Sequence, residues 1–399
     1  MAEQRDAVVI GAGPAGLAAA AMLRREGVDA LVLERSDDVG ASWRNHYERL
    51  HLHTVRWLSN LPGYRFSRSH GRWVSRDGVV RYLEGYVRHH RLEVRTGAAV
   101  ERIERTADGW LLTTPGGQLA TPEVVVATGF NHTPFIADFP GKEGYERELL
   151  HAASYRNAEP YRGRDVLVVG SGNTGAEIAV DLAEGGAGRV RLAVRTPPNI
   201  VRRQLNGVPN QVTGVLMRRF PPKIVDTIAA RIQRLTVPDM SARGLPRASR
   251  GLYTRVIEDG VIPIIDVGLI DAVQSGQVEV VPGLAGFDGR EVLLDGGGRI
   301  EPDAVIVATG YRRGLEPLVG HLGLIGPQGK PVVHGAATSP AAPGLRFIGY
   351  SNPISGMFRE IAIDSRKIAR AVKRELAGRL SSPPPPVASH TPPPSRSAA

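Results

Sequence analysis

Residues 7–16, AVVIGAGPAG, decide the fold of this 399-residue chain. Four consecutive apolar residues are typical of a short strand that is buried in a parallel sheet. The glycine-rich stretch 11–16 then opens a run of small residues, 17–27, that favours a helix ending at Gly27. The apolar stretch 29–35 follows as a second strand. Strand, tight turn, helix and strand at this spacing predict a βαβ unit.

The same order of elements recurs about 160 residues later. Residues 165–169 form an apolar run, 170–175 a second glycine-rich loop, 176–188 a helix-like stretch and 189–195 another strand. In a G-x-G-x-x-G loop the first glycine permits the tight turn and the second lets a pyrophosphate approach the backbone. The third lets helix and strand pack closely. We therefore predict an α/β fold with two Rossmann-like dinucleotide-binding domains.

The end of the second strand in each unit indicates which dinucleotide binds. Glu34 lies 23 residues beyond Gly11, where a carboxylate can accept hydrogen bonds from ribose hydroxyls. Arg195 lies 25 residues beyond Gly170 and suits a 2′-phosphate, although a solvated surface arginine is the alternative. We expect FAD in the first site and NADPH in the second. The candidate binding residues of the loops are Gly11, Gly13, Pro14, Ala15, Gly16, Gly170, Ser171, Gly172, Asn173, Thr174 and Gly175.

Two further apolar strands end in the same tripeptide, and each follows one βαβ unit, so we expect one in each domain. The two tripeptides are Ala127-Thr128-Gly129 and Ala308-Thr309-Gly310, which join the candidate cofactor-binding residues. The predicted organisation is a first part of the FAD domain over 1–158, an NADPH domain over 159–300 with a helical insertion at about 197–265, a return part of the FAD domain over 301–380, and a disordered Pro-rich tail over 381–399.

Composition excludes several classes of protein. The chain has no Cys, which excludes disulfides, thiolate metal sites and a redox cysteine pair. The scattered His residues lack ligand spacing, so we expect no metal site. The net charge is +10, but the 45 arginines are spread along the chain, which argues against a nucleic-acid surface. No apolar run is long enough for a membrane span, and no signal peptide is evident, so we expect a cytoplasmic protein.

Within the insertion, four apolar residues recur at helical spacing. They are Ile224, Ile228, Ile232 and Leu235, with Arg231 and Arg234 among them. The pattern predicts a basic amphipathic helix. We favour a helix packed over a substrate channel, with contact to a membrane surface as the alternative.

These residues resemble the class B flavin-dependent monooxygenases, which include flavin-containing, Baeyer–Villiger and plant YUCCA-type enzymes. The likeness covers residues 5 to about 375. It rests on both glycine loops, on Glu34-Arg35, on residues 38–53 and on both Ala-Thr-Gly strands, while residues 263–283 are similar to YUCCA-type sequences. Between the domains, His151 and Tyr155 match a family signature, whose Tyr ending favours the flavin-containing or YUCCA-type branch. His151 could equally be an ordinary linker hydrogen-bonder.

The resemblance also implies where flavin is held. Arg35, Trp43 and Arg44 would meet FAD, and Val100 would end a strand whose backbone contacts adenine. A helix starting near Ser355-Gly356 would point its N-terminus at the isoalloxazine ring. Two alternative alignments place the catalytic position either at Asn60 or at His53 and Thr54, and a surface turn is a further alternative for Asn60.

The function implied by the resemblance is that of an NADPH- and O₂-dependent FAD monooxygenase. NADPH would reduce FAD, reduced flavin would form a C4a-(hydro)peroxyflavin, and one oxygen atom would enter a small organic substrate. The alternatives are an NADPH oxidase or quinone reductase without oxygen insertion, and a flavin-bound regulatory protein without turnover. The sequence leaves open whether nitrogen, sulfur or a carbonyl is oxygenated, and whether the chain is a homodimer.

Overall fold

The computed structural model describes residues 3–217 and 220–381. The Pro-rich tail expected over 381–399 therefore lies outside the described residues, apart from the last residue of the final helix. The chain forms two similar α/β halves, each built around a five-stranded parallel sheet.

The first sheet contains the strand that leads into the first glycine loop. Its strands are, in spatial order, Leu345–Phe347, Glu123–Val126, Ala7–Ile10, Ala30–Leu33 and Glu93–Arg95. Because successive strand residues face opposite sides, Val9 packs against one layer and Val8 against the other. Helices Pro14–Arg25, Arg76–His90 and Met357–Ser381 form the first layer. The second layer is a four-stranded sheet of Glu3–Gln4, Gly117–Thr121, Trp110–Thr114 and Arg102–Arg105.

The second sheet repeats this plan around the second glycine loop. Its strands are, in spatial order, Glu148–His151, Ala304–Val307, Asp165–Val169, Arg189–Val194 and Glu279–Pro282. Helices Asn173–Glu184 and Leu269–Gln274 cover one face. A three-stranded sheet of Leu284–Asp288, Glu291–Leu294 and Arg299–Ile300 covers the other.

The pairing of the strands shows which sheet each Ala-Thr-Gly strand joins, while the predicted domain bounds stay a prediction. The two Ala-Thr-Gly strands do fall one in each sheet, since Glu123–Val126 pairs with Ala7–Ile10 and Ala304–Val307 pairs with Asp165–Val169. However, Glu148–His151 also pairs with Ala304–Val307. The second sheet thus extends beyond the predicted 159–300 at both ends. An apolar strand carries no local mark of the sheet that it joins, so pairing alone decides its domain.

The segment predicted as a helical insertion carries three helices, Asn210–Met217, Pro222–Thr236 and Leu252–Glu258, and the amphipathic pattern at 224–235 lies on the second. The remaining strands pair as Ile200–Arg202 with Ile264–Asp266, Gln204–Leu205 with Val208–Pro209, and Thr133–Pro134 with Tyr311–Arg312. Short helices occupy Ala41–Arg44 and Glu316–Val319, and 3₁₀ turns occupy Arg56–Leu58, Arg68–His70, Lys142–Gly144, Glu159–Tyr161, Ser241–Arg243, Gly320–Leu322 and Pro327–Gly329. Among the described residues, no helix has the length and apolar character that a membrane crossing requires.

Candidate functional site

The three glycines of the first loop have different surroundings. Gly11 has a φ of 107°, and a Cβ there would lie 2.6 Å from the carbonyl oxygen of Ala127. A Cβ on Gly16 would lie 1.8 Å from the carbonyl oxygen of Gly11, whereas a Cβ on Gly13 would meet no atom within 4 Å. Gly11 and Gly16 are therefore required by packing, while Gly13 faces open space. Helix Pro14–Arg25 starts at this open space without a side-chain cap, which leaves amides of its first turn for an anion.

Glu34 stabilises the first glycine loop through hydrogen bonds. It is buried, and its carboxylate accepts hydrogen bonds from the amides of Ala12 (2.7 Å) and Ser36 (3.0 Å). A carboxylate has about four lone-pair positions, so these bonds leave room for further donors. Glu34 also lines the large cavity described next. It can therefore support the loop and still receive hydroxyl groups of a ligand.

A cavity of about 790 Å³ extends from the first glycine loop to the helical insertion. Its lining falls into three groups. The loop end consists of Gly11, Gly13, Pro14, Ala15, Glu34, Arg35, Ala127, Thr128 and Gly129. The middle includes Trp43, His46, His53, Thr54, Gly356 and Phe358, and the insertion contributes Met217, Val225, Ile228, Ile232, Leu252 and Tyr253. The helix Pro222–Thr236 thus covers the cavity with its inner face, as predicted for a helix over a substrate channel.

The last helix begins at the middle of this cavity. The start expected near Ser355-Gly356 is found at Met357. Gly356 has a φ of 97°, and a Cβ there would lie 2.7 Å from Thr54 Cγ2. Ser355 is fully buried beneath the cavity rather than on its lining, and its carbonyl oxygen accepts a hydrogen bond from Gln211 Nε2 (2.7 Å). Gln211 also accepts one from the Val55 amide (2.8 Å), so it joins the insertion to both segments.

Residues 43–54 bring several polar side chains to the cavity wall. The ring of Trp43 meets that of Phe358 edge to face, with centroids 6.0 Å apart. Burial, assisted by Arg156, lowers the pKa of His46 to about 4. Nε2 of His53 lies 2.8 Å from Oε1 of the buried Glu177. Thr54 exchanges a hydrogen bond with Ser59 (2.8 Å). The catalytic candidates His53 and Thr54 therefore both face the cavity.

Besides Gly16 and Ser355, three of the residues predicted to contact FAD or to act in catalysis do not line this cavity. Asn60 accepts a hydrogen bond from the Phe66 amide (2.8 Å) and donates one to the Trp57 carbonyl (3.1 Å), so it holds a turn, the alternative given above. Arg44 forms an ion pair with Glu84. Val100 follows the strand Glu93–Arg95 in an irregular segment and packs against the core on the far face of the first sheet. The expected roles of these three residues in catalysis and FAD contact stay predictions; in this structure Glu84 holds Arg44, and nearby backbone groups hold Asn60.

The second glycine loop repeats the backbone of the first. Gly170 has a φ of 116°, and a Cβ there would lie 2.7 Å from the Ala308 carbonyl oxygen. A Cβ on Gly175 would lie 1.9 Å from the Gly170 carbonyl oxygen, and one on Gly172 would meet nothing within 4 Å. Helix Asn173–Glu184 likewise starts without a side-chain cap. The open space at Gly172 shows that side chains do not close the loop.

The surroundings of the second loop differ from those of the first. The loop does not line the large cavity, and the Asn173 side chain bonds to the Pro263 carbonyl (3.0 Å) and the Ile265 amide (2.7 Å). Ser171 bonds to the Thr196 carbonyl (3.3 Å). Arg195 is exposed at the end of strand Arg189–Val194, with no ion pair to the described residues.

The second Ala-Thr-Gly stretch supports the fold around this loop rather than lining the cavity. Thr309 donates a hydrogen bond to the Phe135 carbonyl (2.6 Å), and His151 donates from Nε2 to the Gly310 carbonyl (3.0 Å). Nδ1 of His151 accepts from the Ala153 amide (3.0 Å), which is the linker role given above as an alternative.

Sequence reasoning missed three polar residues at the site. Glu177 is a buried carboxylate within the apolar second-loop helix, a mismatch that the sequence does display. Arg203 donates to the Leu52 carbonyl (2.8 Å) and lies over the ring of Trp73, and burial lowers its pKa to about 10. Gln211 has no distinguishing signal, since its partners are distant backbone groups.

Comparison with known proteins gives consistent relatives. The family profile of the pyridine nucleotide-disulphide oxidoreductases matches residues 8–208. Indole-3-pyruvate monooxygenase YUCCA1 of Oryza sativa subsp. japonica is 34% identical over 77% of this chain and 76% of its own length. The probable indole-3-pyruvate monooxygenase YUCCA7 of Arabidopsis thaliana is 30% identical over 92% of this chain and 88% of its own.

Solved structures share the architecture. A variant of the flavin monooxygenase from Stenotrophomonas maltophilia is 25% identical, with a TM-score of 0.72 over 95% of this chain and 100% of its own. Cyclohexanone monooxygenase from Rhodococcus sp. Phi1, bound to NADP+, is 20% identical with a TM-score of 0.72 over 95% of this chain and 85% of its own, which shows a common fold.

Proposed function

The chain belongs to the pyridine nucleotide-disulphide oxidoreductase family, and within it to the class B flavin-dependent monooxygenases, which use FAD, NADPH and O₂; from this premise we propose that it oxygenates a small 2-oxo acid with an apolar or aromatic body. The relatives named indole-3-pyruvate monooxygenases act on a substrate of that class. The absence of Cys fits oxygenation rather than disulfide chemistry.

The distribution of charge in the large cavity carries the proposal. Arg156, Arg202 and Arg203 lie on its lining, and Glu34 is the one carboxylate among the described lining residues. Arg202 is paired with Asp266 (2.9 Å), but Arg156 and Arg203 have backbone carbonyls as hydrogen-bond partners and form no ion pair with the described residues, although the more distant Glu177 favours the charge of Arg203. Since Glu34 is held by amides at the loop end, the remaining lining attracts an anion such as a carboxylate.

The apolar part of the lining suits the body of such a substrate. Helix Pro222–Thr236 turns Val225, Ile228 and Ile232 towards the cavity, and Leu252 and Tyr253 lie on the neighbouring helix. Burial of apolar surface against these side chains would contribute about 25 cal/mol per Å². An acid with an apolar body would therefore be oriented by the contacts of its carboxylate with the arginines and by the contacts of its body with the apolar lining.

The first loop fits FAD. We propose that the pyrophosphate lies against Gly13 and the first turn of helix Pro14–Arg25, where no Cβ obstructs its approach. Glu34 would accept ribose hydroxyls, and the start of helix Met357–Ser381 would face the ring system. When bound, FAD supplies the transfer of electrons from NADPH to O₂ that these side chains cannot perform.

We further propose that the second loop holds NADPH, with Gly172 facing its pyrophosphate and Arg195 its 2′-phosphate. The uncapped helix start, the open space at Gly172 and the unpaired, exposed guanidinium support this assignment. The second half of the molecule then forms the NADPH domain. Along the chain, the first strand of its sheet is Glu148–His151 and the last is Ala304–Val307, and these two strands pair with each other.

Oxygen insertion beside the carbonyl of a 2-oxo acid breaks the bond to the carboxylate. One O₂, one NADPH, one proton and the 2-oxo acid then give the acid one carbon shorter, CO₂, water and NADP+. Purified holoenzyme is tested with indole-3-pyruvate, its neutral amide, a thioether and a tertiary amine, with NADPH, product and peroxide measured together. We expect product from the 2-oxo acid alone, at about one per NADPH. Peroxide equal to NADPH with every compound, or product from the amine or thioether only, contradicts the proposal.

Arg203→Met tests the charge argument in the same assay. We expect the KM for the 2-oxo acid to rise about tenfold or more, because a charged hydrogen bond is lost while the side-chain volume is kept. The rate of flavin reduction by NADPH without substrate should change little. An unchanged KM removes Arg203 from substrate binding.

A further inference from the structure

A second cavity, of about 270 Å³, adjoins the large one. It is lined by Arg49, His51, His53, Glu177, Arg203 and Val267. His51, His53 and Arg203 also line the large cavity, so they form the wall that the two cavities share. His51 is exposed, which brings this second cavity to the molecular surface.

The second cavity has an unusual number of unsatisfied polar atoms. His53 Nδ1, Glu177 Oε1 and Arg203 Nε are buried and have no hydrogen bond to the described residues. Glu177 is only 3% exposed, and Oε1 has just the 2.8 Å contact with His53 Nε2, while Oε2 accepts a hydrogen bond from Tyr47 (3.1 Å). A buried polar group without a partner destabilises the fold, so each of these atoms needs one. Water is the partner expected in a cavity of this size with ionisable side chains on its lining.

The reaction creates a need for such water. Each turnover consumes one proton together with NADPH, as the stoichiometry above requires. The large cavity offers Glu34 as its carboxylate among the described lining residues, and both oxygens of Glu34 are held by amides at the loop end. The wall that the two cavities share offers another route by which a proton can reach the large cavity.

We propose that the second cavity holds a chain of water molecules that conducts this proton from the surface at His51, past Glu177, to His53, which releases it into the large cavity. The proton moves from water to imidazole and then to the water formed in the reaction, so no other reactant is needed. Glu177 acts as a positioning residue, because its carboxylate fixes the His53 ring across the shared wall. The inference rests on the proposed function.

Other charged groups face this pair. Arg203 lies on the shared wall. Tyr47 donates a hydrogen bond to Glu177, and the charge of Glu177 acts on the neighbouring His46. Arg49 pairs with Glu184 and lies 3.9 Å from Asp181 on the helix that carries Glu177. Asp181 does not line either cavity, although it lies one turn along that helix. It therefore provides a matched control for the loss of a carboxylate.

The test compares Glu177→Gln with Asp181→Asn in the holoenzyme. For Glu177→Gln we expect anaerobic flavin reduction by NADPH within about twofold of native, product per NADPH lowered about tenfold or more, and a larger solvent deuterium isotope effect on coupled turnover. Asp181→Asn should resemble the native enzyme in all three. Native coupling and isotope effect in Glu177→Gln, or an equal loss in both variants, would overturn the proposal.

If Glu177→Gln fails to fold, a second variant and a crystal structure still test the proposal. Val267→Phe fills the second cavity without changing charge, and we expect the same loss of coupling from it. A high-resolution crystal structure of the native protein should show ordered water bonded to Glu177 Oε1, and that of Val267→Phe should not. A dry native cavity, or native coupling in Val267→Phe, contradicts the water chain. Peroxide release without product from the native enzyme would contradict the proposed function instead. The presence or absence of ordered water in the second cavity of the crystal structure would then still test the water chain.

Discussion

The two glycine loops have nearly the same backbone and very different surroundings. In both, a Cβ on the last glycine would lie within 2 Å of the carbonyl oxygen of the first, and the middle glycine faces open space. The first loop opens into the large cavity and is supported by the buried Glu34. The second lies outside that cavity, beside the exposed Arg195.

This difference separates what the motif determines from what its neighbours determine. The glycines fix a turn and a free helix start, which suit any dinucleotide. The residue at the next strand end and the depth of the site select which dinucleotide binds and how easily it exchanges. An enclosed first site would suit the FAD proposed to bind there, and an open second site would suit the proposed NADPH, which must leave after each turnover.

The largest expected effect tests the equivalence of the loops. Gly16→Val and Gly175→Val should both abolish folding, because each new Cβ would collide with a carbonyl oxygen at 1.8 or 1.9 Å. Soluble yield and thermal unfolding measure this, and we expect losses above about 4 kcal/mol in both. Native melting of either variant would show that its loop does not hold this backbone.

Gly13→Val and Gly172→Val should separate the loops while leaving the fold intact, since neither Cβ meets an atom within 4 Å. We expect Gly13→Val to lose at least about nine-tenths of its FAD and to be colourless, because the side chain occupies the space of the pyrophosphate. Gly172→Val should stay yellow but be reduced slowly by NADPH. Absorbance of the purified proteins and their melting temperatures decide the matter, and a yellow Gly13→Val refutes the assignment of the first loop.

Arg195→Glu tests the identity of the second dinucleotide. The substitution should raise the KM for NADPH about tenfold, equivalent to about 1.4 kcal/mol, through repulsion of the 2′-phosphate. Initial rates with NADH, which lacks that phosphate, serve as the control and should change less than about twofold. Equal changes with both cofactors would remove the phosphate contact.

His46 provides a smaller test of how enclosed the first site is. Burial lowers its pKa to about 4 from an ordinary 6.5, so the folded protein keeps the ring neutral while the unfolded chain is protonated below 6.5. Its contribution to stability is therefore complete above pH 6.5 and is lost as pH falls towards 4, by up to about 1.4 kcal/mol per pH unit. Denaturant unfolding between pH 7 and 4 should decline less steeply for His46→Gln. Parallel curves would mean that the ring is solvated.

Much of the fold could be predicted from the sequence because apolar strands and glycine loops are local signals. The strand Glu148–His151 was not assigned to a sheet, since its partner Ala304–Val307 lies more than 150 residues away. The Ala-Thr-Gly endings mark both sheets equally, so they could not place the domain boundaries.

The site shows the same division. Loop residues 11–16 were identified by pattern, and His53 and Thr54 by resemblance, and all but Ala12 and Gly16 of these line the cavity. Glu84 and the Phe66 amide hold the side chains of Arg44 and Asn60, contacts that no local pattern reveals, and the roles expected for these two residues stay predictions. The pairing of Glu177 with His53 spans the two halves, and no local pattern connects them.

The first sheet also has a consequence for biosynthesis. Its edge strand Leu345–Phe347 and covering helix Met357–Ser381 come from the last part of the described chain, whereas every strand of the second sheet has been made by Val307. On the ribosome, the half around the second sheet can complete its sheet while the half around the first sheet still lacks its edge strand and its covering helix. If FAD binds at the first loop as proposed, its binding must then await release of the C-terminal helix, and a chain truncated before Leu345 should emerge with the half around the first sheet unfinished.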